Sequence, residues 1–121
     1  MGDCVPYALH VAGGVSFEDA CAEMAKRGWT MDRGATTIEG WVGAKNLGIH
    51  LMHPADKSLR DMTLSQFLKA CDQSATYIVV VKSHWLAVIR GKIVERPQTH
   101  KRHKVEMCYE VSDSETPILS L

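Results

Sequence analysis

The stretch Tyr77-Ile78-Val79-Val80-Val81-Lys82-Ser83-His84-Trp85-Leu86-Ala87-Val88-Ile89-Arg90-Gly91-Lys92-Ile93-Val94 decides the fold. Residues 77–81 are aromatic or β-branched throughout, a run too short for a helix and too apolar for a surface strand, which predicts a central strand. Residues 84–90 predict the next strand. Gly91-Lys92 predicts a tight turn into Ile93-Val94-Glu95, so the two segments form a hairpin. Further on, residues 105–111 alternate Val105, Met107, Tyr109 and Val111 with Glu106, Cys108 and Glu110, the pattern of a last strand in a half-buried sheet.

Upstream of this block the periodicity is helical. Residues 4–12 predict a helix stopped by Gly13-Gly14. Ser16 is placed to cap a second helix, with Asp19 in its first turn, Phe17, Ala20, Cys21 and Met24 on one apolar face, and Gly28 at its end. Thr36-Thr37-Ile38-Glu39 is a capping-box pattern, so residues 38–47 predict a third helix with Ile38, Trp41, Val42 and Leu47 turned to the core. After a loop, Thr63-Leu64-Ser65-Gln66 repeats the box and opens a fourth helix carrying Leu64, Phe67, Leu68 and Cys71. Helices first and an antiparallel sheet afterwards define an α+β class, with an N-terminal helical layer packed on one face of a C-terminal antiparallel sheet.

The chain has 121 residues, 45% of them hydrophobic, which is one domain's worth of core, and residues 112–121 read as a loose tail. Fourteen basic and fourteen acidic residues cancel, so the charge gives no footprint for nucleic acid or an anionic membrane surface. No apolar run approaches the ~20 residues that span a bilayer, and no signal-peptide pattern opens the chain, which predicts a cytoplasmic protein. Cys21 and Cys71 fall on the apolar stripes of predicted helices and Cys108 in the alternating strand run, and all three read as small buried hydrophobes. His50 and His53, like His100 and His103, lack the partners a zinc site needs, so neither a metal nor a cofactor is expected. Lys101-Arg102-His103-Lys104 reads as a solvated basic loop.

Cys4 is different, because Gly2-Asp3-Cys4-Val5-Pro6 puts a thiol at the start of the first helix. The helix N-terminus carries roughly half a positive elementary charge and unpaired N–H groups, which favour the thiolate. His84, at the head of its strand, supplies the base that such a nucleophile needs. Glu95, past the hairpin turn, is expected back near the level of His84, where opposed Cβ atoms are about 5 Å apart and a carboxylate can orient an imidazole. His10 lies two helical turns beyond Cys4, too far for a direct hydrogen bond. Trp85 reads as a core residue that shields the ion pair, as Trp29 and Trp41 read as core.

Asp3-Cys4, Ala8-Leu9, Phe17-Glu18-Asp19, His84, Ala87-Val88, Gly91 and Glu95, taken in order, resemble the motifs of papain-like cysteine peptidases, specifically small bacteriophage-type proteins related to the peptidase C39 group. The resemblance implies a papain-like fold and cleavage of a peptide or isopeptide bond in a peptide or protein substrate, with Cys4 as nucleophile, His84 as base and Glu95 as orienter. Two departures stand out. The family places an aspartate or asparagine where this chain has Glu95, and it takes an oxyanion-hole glutamine from several residues before the cysteine, where only Met1, Gly2 and Asp3 stand here. The hole is then expected to use the Cys4 backbone N–H with a donor near Asp3; one lost donor typically costs about 2.7–4 kcal/mol of transition-state stabilisation. That loss makes a second class of function the alternative: a weakly active or inactive scaffold that binds and blocks a host protein.

Overall fold

A computed structural model of the chain describes residues 2–54, 57–82, 84–94 and 103–112. Their order is α1 (Cys4–Gly13), α2 (Phe17–Lys26), α3 (Thr37–Asn46), β1 (His50–Met52), a 3-10 turn at Lys57–Leu59, α4 (Leu64–Ala70), β2 (Thr76–Val81), β3 (His84–Ile89), β4 (Lys92–Val94) and β5 (Met107–Ser112). The strands form one antiparallel sheet in the order β1-β5-β2-β3-β4. The α+β arrangement is therefore as expected, and β2 lies at its centre.

The helix starts follow from their caps. Ser16 Oγ accepts the Asp19 backbone N–H at 3.0 Å. Thr36 with Glu39, and Thr63 with Gln66, each form both halves of a capping box, satisfying N–H groups that the first helical turn leaves without partners. At α1 the left-handed residue after the helix is Gly14, whose N–H bonds back to the His10 carbonyl, a conformation that glycine adopts without a Cβ penalty.

Two clusters of buried side chains cover opposite faces of the sheet. Ile78, Val80 and Trp85 pack with Val5, Ala8 and Leu9 of α1, Ala20 and Met24 of α2, and Ala44 of α3. Tyr77, Val79, Val81, Leu86, Val88 and Cys108 pack instead with Leu59, Leu64, Phe67 and Val105. The N-terminal helices thus form the expected layer, and α4 with the 3-10 turn adds a second layer on the other face. With both faces dry, β5 is not half-buried along its whole length: Cys108 and Tyr109, adjacent in sequence, are both buried.

Four details depart from the sequence expectations. Residues 50–52, expected in a loop, pair with β5 as His50↔Ser112, Leu51↔Val111 and Met52↔Glu110; three residues are too few to show a strand period. Ser112, expected to begin a tail, is consequently the end of a strand, and residues 113–121 lie outside the described residues. The hairpin turn sits one residue earlier, since Ile89 pairs with Lys92 and the turn residues Arg90 and Gly91 have φ of 53° and 77°. Two successive positive φ angles suit the right-handed twist of the flanking strands.

The fourth is α3, which faces the core with its small residues. Gly40, Gly43 and Ala44 are buried, whereas Ile38 is 76% exposed and Trp41 40% exposed. The reason is close approach: a Cβ on Gly40 would stand 2.6 Å from Trp85 Cη2 and 3.0 Å from Val5 Cγ1, and one on Gly43 would collide with Met24 Sδ. The large side chains are displaced outward because the Trp85 and Met24 side chains already occupy that space. Gly40→Ala tests this: it gains up to ~1 kcal/mol of helix propensity against a typical overpacking penalty of about 1–3 kcal/mol. A net loss of stability is expected in urea denaturation, while Ile38→Ala changes it by no more than about 0.5 kcal/mol.

Candidate active site

Cys4 is the first residue of α1, and Asp3 precedes it as N-cap with φ −108° and ψ 24°. The Asp3 side chain makes no cap hydrogen bond, and its carbonyl accepts the Tyr7 N–H at 2.9 Å. Pro6 fits here because the first turn has no intrahelical acceptor for the N–H that proline lacks. Val5, Ala8 and Leu9 bury the inner face of α1 against the sheet, which leaves the half-buried Cys4 at the end of the helix where the dipole is positive.

His84 comes to this thiol through the β2–β3 hairpin. Val81 pairs with His84 at the closed end of that ladder, so only residues 82 and 83 connect the strands, with Lys82 in a left-handed conformation at φ 45°. The His84 imidazole is a hydrogen-bond partner of the Cys4 thiol, and the Trp85 backbone N–H donates to the sulfur. Burial by itself raises the thiol's pKa. The His84 hydrogen bond, the Trp85 N–H and the charge of His84 outweigh it, and the Cys4 pKa falls below its ordinary 9.0.

Trp85 is 2% exposed, with its ring against Gly40 and its Nε1–H directed at Thr37 Oγ1 at 3.5 Å. It stands in the apolar cluster beneath the thiol, as expected. The described part of β4 ends with Val94 opposite Ala87, three residues along β3 from His84. Glu95 lies outside the described residues, as do His100, Lys101 and Arg102. His10 is turned away from the site: its Nδ1 is 2.6 Å from the Val15 carbonyl, and its ring meets those of Tyr7 and Phe17 edge-on. His53 lies against the Tyr109 ring at the far edge of the sheet. No three His, Cys, Asp or Glu side chains among the described residues are grouped to hold a metal ion, and no helix there is long and apolar enough to cross a membrane.

The sequence reading missed how the residues before Cys4 are held. Trp29, expected in the core, donates its Nε1–H to the Gly2 carbonyl at 2.9 Å, and the Gly2 N–H donates to the Met31 carbonyl at 2.9 Å. These contacts span 27 and 29 residues, and no local pattern announces them. Arg33 forks the Glu39 carboxylate with 3.0 and 2.7 Å bonds and, together with the Thr36 N–H, pulls the Glu39 pKa down to about 2. A cleft of about 570 Å³ opens at the other end of α1, lined in part by Gly13, Thr76 and Ser112. It is about 13 Å from Cys4 along the helix and is separate from the thiol.

No protein-family model, curated protein or solved structure matches this chain. What the site can do therefore rests on its own chemistry. All four cysteines are thiols, and Cys4 combines a lowered pKa with partial exposure. Burial pushes the Cys71 thiol up, and Cys108 is fully buried. Iodoacetamide labelling read by peptide mass spectrometry at neutral pH should modify Cys4 first and reach Cys71 and Cys108 only under denaturing conditions.

Proposed function

We propose that the chain is a papain-like thiol hydrolase that cleaves a peptide or isopeptide bond, with Cys4 as nucleophile and His84 as acid and base. The observation that carries this reading is the pairing of a helix-N-terminal thiol with an imidazole strongly enough to overcome its own burial. A structural cysteine gains nothing from such a partner, whereas a nucleophile requires one. The four thiols suit a reducing cytoplasm.

The steps follow from those atoms. The Cys4 thiolate attacks the carbonyl carbon, and the C=O electron pair moves to oxygen. The oxyanion lies by the Cys4 backbone N–H, which as the first of the helix has no intrahelical acceptor. Collapse breaks the C–N bond, and the leaving nitrogen takes the proton of the His84 imidazolium. His84, now neutral, removes a proton from water as it attacks the thioester, which releases the acid and restores the ion pair. Glu95 remains our candidate to orient His84 in this cycle.

The test is the pH dependence of Cys4 alkylation, together with turnover of an activated ester. Because the folded-state pKa is lowered, the labelling midpoint should fall below 9.0. It should rise in His84→Ala, where the burial penalty stays and the imidazole's contribution is gone. With p-nitrophenyl acetate, the native protein should release more than one equivalent of nitrophenol through an acetyl-Cys4 intermediate. Cys4→Ala and His84→Ala should each lose on the order of 10³-fold or more in rate. A Cys4 that titrates at 9.0 regardless of His84 would refute the hydrolase and leave the binding scaffold as the function.

A further inference from the structure

We propose that the Arg33–Glu39 ion pair is a positioning device for the Cys4 nucleophile, an inference that rests on the hydrolase reading. Gly2, two residues before Cys4, is held at both of its backbone groups by one loop: its N–H by the Met31 carbonyl and its carbonyl by the Trp29 indole. That loop, residues 28–34, closes on itself through the Thr30↔Gly34 bridge and the Gly34 N–H to Thr30 carbonyl bond of 2.8 Å.

Arg33 joins the loop to α3. Its Nη1 donates to the Gly28 carbonyl, the Gly34 carbonyl and Glu39 Oε1, each at 3.0 Å, and its Nη2 donates to Glu39 Oε2 at 2.7 Å. Glu39 is itself fixed, since Oε1 accepts the Thr36 N–H at 3.0 Å as part of the capping box. The next residue of α3, Gly40, lies against the Trp85 ring, and the Trp85 backbone N–H donates to the Cys4 sulfur. The first turn of α3 therefore sets both sides of the thiol, through Gly2 on one side and Trp85 on the other.

Exposed ion pairs add little to stability, and Arg33 and Glu39 keep 46% and 24% of their side-chain surface. Their geometry matters more than their energy. A guanidinium that satisfies two loop carbonyls as well as a carboxylate fixes the loop in one place relative to α3. A nucleophile must meet its base within about 0.5 Å of the productive position. Loosening this brace should therefore be read in Cys4 reactivity before it is read in stability.

Glu39→Gln separates the two roles of Glu39, because an amide oxygen still completes the capping box, as Gln66 does at α4, while the charged fork is lost. Arg33→Met removes the other half, and Arg33→Lys keeps the charge without the fork. Cys4 alkylation against pH and the thermal midpoint would be measured for each. All three variants are expected to shift the Cys4 labelling midpoint upward toward 9.0 and to slow labelling at pH 7 several-fold, with the thermal midpoint within a few degrees of native. In a His84→Ala background the same substitutions should add a smaller shift than in the native background, since only the Trp85 backbone N–H is left to be displaced. A native pH profile in both Glu39→Gln and Arg33→Met overturns the positioning role while leaving the hydrolase reading intact. A native protein whose Cys4 ignores His84 overturns both.

Discussion

Because Tyr77, Ile78, Val79, Val80 and Val81 are all buried, β2 has no face left for water, and both sides of the sheet must be covered. One cover is supplied by α1, α2 and α3, the other by α4 and the residues around it. A strand buried on both faces also needs a ladder partner on each edge, which β3 and β5 provide. The hairpin to β3 reverses within two residues, so His84 is delivered at the end of the most buried ladder among the described residues. The same cluster that buries Ile78 and Val80 anchors α1 through Val5, Ala8 and Leu9. The position of the thiol and the position of the imidazole are thus two consequences of one packing requirement.

Local chemistry made much of this legible. Ser16, Thr36 and Thr63 announced three helix starts because a cap and its partner are three residues apart in sequence and in contact in space. The run 77–81 announced the central strand because no surface strand is so uniformly apolar. Cys4 and His84 were legible as a candidate pair because a thiol at a helix start and a histidine at a strand head, followed by an acid past a turn, occur in the order that a nucleophile, base and orienter require. Features that depend on distant partners were not legible. The outward turn of Ile38 and Trp41 is dictated by Trp85 and Met24, whose side chains fill the space against α3. Strand β1 exists because β5 offers it an edge. The hold on Gly2 comes from Trp29 and Met31, whose sequence context says only that they lie near a loop.

The chain contains its own comparison for the thiol. Cys4 and Cys71 are both shielded from water, and burial acts on both in the same direction, toward the neutral thiol. They differ in what surrounds the sulfur. Cys4 begins α1, where the dipole is positive, and meets an imidazole and a backbone N–H. Cys71 is the C-cap of α4, where the dipole is negative; its Sγ lies 3.8 Å from the Leu68 carbonyl and accepts from Gln73 Nε2 at 3.7 Å, and its own backbone N–H offsets burial only in part, with no imidazole to add to it. The Asp72 charge raises its pKa further. The outcomes are opposite, and the residue type is the same. Burial alone would make Cys4 as inert as Cys71, so its lowered pKa is due to the groups placed around it. Those groups, His84 and the Trp85 N–H, stand at the first two positions of β3, so the short connection from β2 sets where the partners of the thiol are placed.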